Sequence, residues 1–367
     1  MTRQELTAYI ESILPADREA MDAARRRQAE LAKPPGSLGA LEDMSIRLAG
    51  IRRTPRPRIG RCRVTVLAAD NGVVAEGVSC APQSVTVQQA VNMTRHKTGM
   101  SALAAYFGDQ VQVVDVGICV PVPCPQVLDR KVRFSTGDIA REPAMTEQEA
   151  LRALSVGLDL AHMAKEEGID AVGVGEMGIG NTTTSAAVLA ALTGASVEDV
   201  TGRGGGLTDQ GFATKKRVLR QALALHRPDP TDPVGVLAAV GGLDLAAMTG
   251  LFLGCAHEGL AAAVDGYISI VAALCAVRLC PRVRDYLFLS HASYEIGYRL
   301  AARELDLEPC LLLGMRLGEG SGCPLLFRIL QGACAVLDGM ATFPEAAIED
   351  GYLAPIRAAD AFTVDQS

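Results

Sequence analysis

Two glutamates in this chain sit inside glycine-rich turns, each a few residues past a short apolar run. Glu176 lies in Gly173-Val174-Gly175-Glu176-Met177-Gly178-Ile179-Gly180-Asn181-Thr182-Thr183-Thr184, after the run that starts at Ala171. Glu319 lies in Gly314-Met315-Arg316-Leu317-Gly318-Glu319-Gly320-Ser321-Gly322, after Cys310 to Leu313. A third loop, Gly202-Arg203-Gly204-Gly205-Gly206-Leu207-Thr208-Asp209, is followed closely by Lys215 and Lys216. Glycines let backbone N–H groups converge on an anion, and a helix N-terminus adds a favourable dipole. A carboxylate beside such a cradle repels the anion, so it must serve something attached to the anion. None of the loops has the Gly-Lys-Ser/Thr ending of a Walker loop, and none completes a dinucleotide fingerprint. Together they point to a small phosphorylated ligand with chemistry at its other end.

The elements that must hold these loops follow from the apolar pattern. From Val64 onward, short β-branched runs alternate with longer Ala/Leu-rich stretches. The expected strands are Val64–Ala68, Val111–Val116, Ala171–Val174, Val234–Val240, Tyr267–Ile270, Tyr286–Leu289 and Cys310–Leu313. This alternation predicts an α/β fold with a mostly parallel, Rossmann-like sheet and helices on both faces. Asp70 and Asn71 follow the first run, Glu176 the third, and Ser290 and His291 the sixth, while Glu319 lies past the seventh. Ligands of open parallel sheets bind outside the carboxyl ends of the strands, so these residues are expected to share one crevice. Residues 1–58 read as helices and a linker, stopped once at Pro34-Pro35-Gly36, and are expected to form a small helical domain with the C-terminal helices. Residues 59–345 are expected to be the catalytic α/β domain, and 346–367 a tail.

Composition narrows the function classes. Of 367 residues, 49% are hydrophobic but only 4% aromatic, so the core must be built from Ala, Val and Leu. A formal charge of −7 argues against a nucleic-acid surface. The start of the chain is polar, and the uncharged apolar pieces are too short for a bilayer span, so a cytoplasmic protein off the membrane is expected. Ten scattered cysteines include no Cys-x-x-Cys pair, and no metal site is expected.

The motifs also carry a family resemblance that covers nearly the whole chain. They include Lys33-Pro34-Pro35-Gly36-Ser37-Leu38-Gly39, Glu76-Gly77-Val78-Ser79, Pro82-Gln83-Ser84-Val85-Thr86, the three glycine loops, Asp265-Gly266-Tyr267-Ile268-Ser269 and Met340-Ala341-Thr342-Phe343. In this order they resemble the nicotinate-nucleotide–dimethylbenzimidazole phosphoribosyltransferases. The resemblance implies exchange of nicotinate for a benzimidazole on a phosphoribose, with inversion at C1′, and no cofactor. It implies Glu319 as general base, with Glu176 in the same site. It further implies a phosphoribosyl and nicotinate site of Gly178, Gly180, Asn181, Thr182, Gly204, Gly205, Gly206, Lys215, Arg316 and Ser293. An acceptor site of Ser79, Pro82, Gln88, Gln89, Met177 and Leu317 is implied too, in a homodimer. The chain departs from the family pattern at Asn71, where His is usual, at Gly204-Gly205-Gly206, in Asn92–Gly99, and before Gly297, where a proline is missing. Several of these positions border the incoming base, so the acceptor stays open between benzimidazoles, adenine and phenols. A nucleotide-binding subunit without activity is the alternative of a different class.

Overall fold

The computed structural model describes residues 1–359; the last eight positions of the expected tail lie outside the described residues. Two compact units result. One comprises Met1–Leu14 and Arg61–Leu326, the other Pro15–Gly60 with the chain from Phe327 onward. The chain passes between the units after Leu14, after Gly60 and after Leu326; the second of these lies close to the expected boundary at 58.

The larger unit is built on six parallel strands: β1 (Cys62–Ala69), β2 (Gln110–Gly117), β3 (Val127–Asp129), β4 (Ala171–Met177), β5 (Ala261–Val264) and β6 (Leu287–Leu289). Their order is β3-β2-β1-β4-β5-β6. The chain steps outward from β1 to β3, returns to the other side of β1, and steps outward again to β6. This is the doubly wound Rossmann order, and its ligand crevice opens where the direction reverses, at the carboxyl ends of β1 and β4. The register sets Leu67 of β1 beside Glu176 of β4, and Ala68 beside Met177. Strands β1, β4 and β5 are buried along their whole length, which is why they are mostly apolar, with Arg63, Thr65 and Glu176 the exceptions.

Three expected strands are corrected. Val234–Val240 belongs to the helix Pro233–Val240, which starts with proline at its first position, where the missing N–H costs nothing. Tyr267–Ile270 opens the helix Tyr267–Leu279. The strand of that region is the preceding Ala261–Val264, three alanines and a valine of low intrinsic β preference, held by β4 and β6 on either side. Cys310–Leu313 forms no strand and contributes one parallel bridge, from Leu311 to His291. Short apolar runs do not distinguish a buried strand from a buried helix by periodicity.

The smaller unit packs helix Arg18–Glu30 on helix Ala40–Arg52, with Ala24, Ile46, Ala49 and Leu337 buried together and Met21 against them. The Lys33 ammonium donates to Glu42 at 2.7 Å, and Glu42 also accepts the N–H of Leu38 at 3.0 Å. This pins the Pro-Pro-Gly turn to its own helix. Among the described residues no helix is long and apolar enough to cross a membrane.

Candidate active site

A crevice in the larger unit is lined by residues from six loops, all at the carboxyl edge of the sheet. One wall carries Val78 to Ala81, Val85 and Gln89. The floor is Glu176 to Thr182, at the end of β4 and the start of helix Asn181–Thr193. The remainder comes from Arg203–Leu207, Asp265–Ser269, Ser293 and Glu295, and Arg316–Glu319.

The loop after β4 is tied down from below. Thr86 donates to the Asp70 carboxylate at 2.7 Å and accepts the N–H of Ile179 at 3.1 Å. Asp70 also accepts the N–H of Cys119 at 2.9 Å, so it joins the ends of β1 and β2 instead of facing ligand. Asn71 donates to the carbonyl of Ile179 at 3.4 Å. Gly180, at φ +94°, forms the N-cap of the helix that follows, whose first turn lies beside the crevice with the Asn181 and Thr183 N–H groups bonded to the carbonyls of Gly178 and Gly180.

Four carboxyl groups gather at one side. Glu176 accepts the backbone N–H of Glu319 at 3.1 Å and a hydrogen bond from the Asn181 amide. The same Asn181 nitrogen donates to Asp244 at 3.2 Å. Asp265 accepts the N–H of Gly320 at 3.0 Å and that of Gly322 at 2.7 Å. Glu319 accepts the N–H of Met100 at 3.4 Å. Burial disfavours charge on all four. It pushes Glu176 up to about 8, against the opposing hydrogen bonds from Glu319 and Asn181, with the neighbouring Asp244 and Asp265 adding to the rise. Asp265 rises to about 7 and Asp244 to about 6, both chiefly through burial. Glu319 is raised by burial and held back by Thr98 and the Met100 N–H. Burial therefore favours the protonated form of Glu176.

The opposite side is built for an anion. Gly204, Gly205 and Gly206 line it, with Gly204 and Gly206 at φ +56° and +114°. Thr182 lines it as well, and the buried Lys215 ammonium donates to the Thr182 hydroxyl at 2.8 Å from behind. Burial lowers Lys215 to about 8, with Glu295 working against the fall. Arg203 is occupied within its own loop, donating to the Leu207 carbonyl at 2.7 Å and to Asp209 at 2.6 Å. Arg316 is exposed, its guanidinium 5.7 Å from the Tyr294 ring centre.

Of the residues expected at the site, Glu176, Glu319, Gly178, Gly180, Asn181, Thr182, Gly204, Gly205, Gly206, Arg316, Ser293, Ser79, Gln89, Met177 and Leu317 line the crevice. Three do not. Lys215 reaches it only through Thr182, while Pro82 and Gln88 are exposed outside the wall. Ser290 and His291 are buried and bonded to each other at 3.0 Å, behind the crevice. Sequence reasoning missed Asp244, Asp265, Glu295, Thr98 and Met100 as parts of the site. Asp265 had a signal: it follows an apolar run and precedes a glycine, as Glu176 does. It was hidden by placing the strand one element too late.

Comparisons with known proteins place the chain among phosphoribosyltransferases. The phosphoribosyltransferase family model DBI_PRT matches residues 13–348. The nicotinate-nucleotide–dimethylbenzimidazole phosphoribosyltransferase of Clostridium perfringens (strain ATCC 13124) is 45% identical over 359 residues, 98% of this chain and 99% of that one. That of Chloroflexus aggregans is 46% identical over 346 residues, 94% and 98% of the two chains. The crystal structure of CobT from Thermus thermophilus superposes with a TM-score of 0.87 at 42% identity, covering 91% of this chain and all of that one. The chain belongs to the nicotinate-nucleotide–dimethylbenzimidazole phosphoribosyltransferase family.

Proposed function

We propose that this chain transfers phosphoribose from nicotinate mononucleotide to 5,6-dimethylbenzimidazole or a related lower-ligand base, giving an α-ribotide 5′-phosphate and nicotinate for cobamide assembly. The observation that carries the reading is the polarity of one crevice: a glycine cradle backed by Lys215 and Thr182 on one side, and Glu176, Asp265 and Glu319 on the other. The substrate has the matching polarity, with a phosphate at C5′ and a cationic pyridinium on C1′.

In the reaction the C1′–N bond breaks and its electron pair stays on the pyridine nitrogen, which leaves uncharged. Nicotinate therefore needs no acid to depart. Positive charge grows on the ribose, and the carboxyl side of the crevice stabilises it. The cationic pyridinium ring of the substrate also favours loss of the Glu176 proton. The base nitrogen attacks C1′ from the opposite face, and its N–H becomes acidic as the new bond forms. Glu319 takes that proton; its raised pKa makes it a better base than a carboxylate in water. No pyrophosphate leaves, so the reaction as drawn requires no metal.

The acceptor is placed between Ser79, Gln89, Met177 and Leu317. A homodimer acting in the cytoplasm belongs to the same reading and rests on the family resemblance. The test is release of nicotinate from nicotinate mononucleotide by the purified chain. Release is expected only with an acceptor present, and it should survive a chelator. No release with any benzimidazole or phenol would favour a binding subunit.

A further inference from the structure

Glu319 has an unusual backbone. It sits at φ +65° between Gly318 at +83° and Gly320 at +88°, three consecutive left-handed residues. A non-glycine residue holds that conformation only where its surroundings enforce it. Enforcement comes from two neighbouring strands. Gly175 of β4 lies so close that a side chain there would meet the Glu319 carbonyl at 2.5 Å. From the end of β5, the Asp265 carboxylate reaches under the loop and takes the N–H of Gly320 with one oxygen and that of Gly322 with the other. Asp265 is itself held, its N–H donating to the Ser269 hydroxyl at 3.2 Å, which donates to the Val174 carbonyl of β4 at 2.9 Å.

We infer that Asp265 is a positioning residue for the transfer reaction: its two oxygens grip the backbone just past Glu319 and fix where the Glu319 carboxylate stands in the crevice. The inference rests on the reading of Glu319 as the base. Asp265 uses both oxygens on the loop, so its hydrogen bonds act through Glu319. Its replacement by Asn sets an amide N–H₂ against one of the two backbone N–H groups, which leaves a buried donor without a partner.

The test is a double-mutant cycle in turnover with dimethylbenzimidazole, using Asp265→Asn, Glu319→Gln and the pair. Asp265→Asn is expected to lower kcat about tenfold to hundredfold, the usual worth of a charge-assisted hydrogen bond, with KM for nicotinate mononucleotide within about threefold. In the Glu319→Gln background the same change is expected to cost almost nothing. An equal loss in both backgrounds marks a purely structural role and overturns the inference, as does an inert Asp265→Asn beside a damaging Glu319→Gln. A harmless Glu319→Gln removes the base reading and this inference together. If Asp265→Asn does not fold, Ser269→Ala, which loosens Asp265 from behind, replaces it in the same cycle and is judged by the same non-additivity.

Discussion

The Glu176 side chain accepts the backbone N–H of Glu319 at 3.1 Å, so the two glutamates meet carboxyl to main chain and not carboxyl to carboxyl. One oxygen of Glu176 is spent on placing Glu319, and the other on Asn181. Glu319 keeps its own carboxylate for the crevice, where the Met100 N–H donates to it. Two acidic groups in one small space thus separate into an anchored partner whose burial favours its proton and a freer one, a division of environment of the kind that sets acid and base roles.

Removing the freer one should damage the chemistry and spare binding. Glu319→Gln keeps the shape and the accepting oxygen and loses the base. General-base assistance is worth roughly 10²–10⁴ in rate. Turnover should fall within that range, while the affinity for nicotinate mononucleotide, measured by calorimetry, stays close to that of the parent. Near-normal turnover would show that the proton leaves by another route.

The anchored one should make stability depend on pH. Burial raises Glu176 from 4.5 to about 8, so between these values the folded chain keeps a proton that the unfolded chain has released. Stability must then fall as pH rises through that window. Asp265 and Asp244, raised from 3.8 to about 7 and about 6, act in the same direction. Glu176→Gln should flatten the dependence, with a relative gain on the order of a few kcal/mol at pH 8 against pH 5. It should also lower turnover, because no charge can form there beside the ribosyl cation. Urea midpoints at several pH values check the first point; identical slopes for the two proteins would contradict it.

Lys215 should matter to the phosphate from a distance. Its ammonium touches Thr182, and Thr182 faces the crevice. Lys215→Ala should weaken nicotinate mononucleotide about tenfold to hundredfold, the scale of a lost hydrogen bond to a charged group, and leave the free base almost unaffected. Because burial lowers Lys215 to about 8, its charge is present below that pH and lost above it. Affinity for the mononucleotide should decline above pH 8 in the parent, and this component of the decline should vanish in Lys215→Ala. Equal weakening of both ligands would indicate a damaged fold.

The sequence made the crevice legible where a motif and a strand end coincide. Glu176 and Met177 close a strand that opens on the apolar run Ala171–Val174, so their place at the sheet edge followed directly. Glu319 was legible as chemistry but not as geometry, because its left-handed backbone depends on Asp265 and Gly175, far away in the chain. Lys215 lay near the right loop in sequence, yet only the turn of helix Asp209–His226 shows that it points behind Thr182. The alanine strand β5 escaped because neighbours, not its own residues, make it a strand. Pro82 and Gln88 fall inside the segment that forms the wall but on its exposed side, a matter of helix phase within Ser84–Thr94 and the turn before it.

Acceptor choice should be broad. The wall facing the incoming base mixes Met177 and Leu317 with Ser79 and Gln89. Leu317 is 56% exposed, so it covers the base without enclosing it. An apolar wall distinguishes one methyl group by only about 1–3 kcal/mol. Dimethylbenzimidazole should therefore outcompete 5-methylbenzimidazole, which lacks one of its methyls, by no more than about two hundredfold, and more than one benzimidazole should be accepted. Asn71 lies beneath this region, bonded to the Ile179 carbonyl, where it braces the loop without titrating. Competition assays with paired bases measure the preference. A selectivity above about a thousandfold between analogues that differ by one methyl would exceed what shape in an open apolar wall can supply. Hydrogen bonding would then set the choice, and Ser79 and Gln89, the two polar side chains on that wall, would be the residues to replace first.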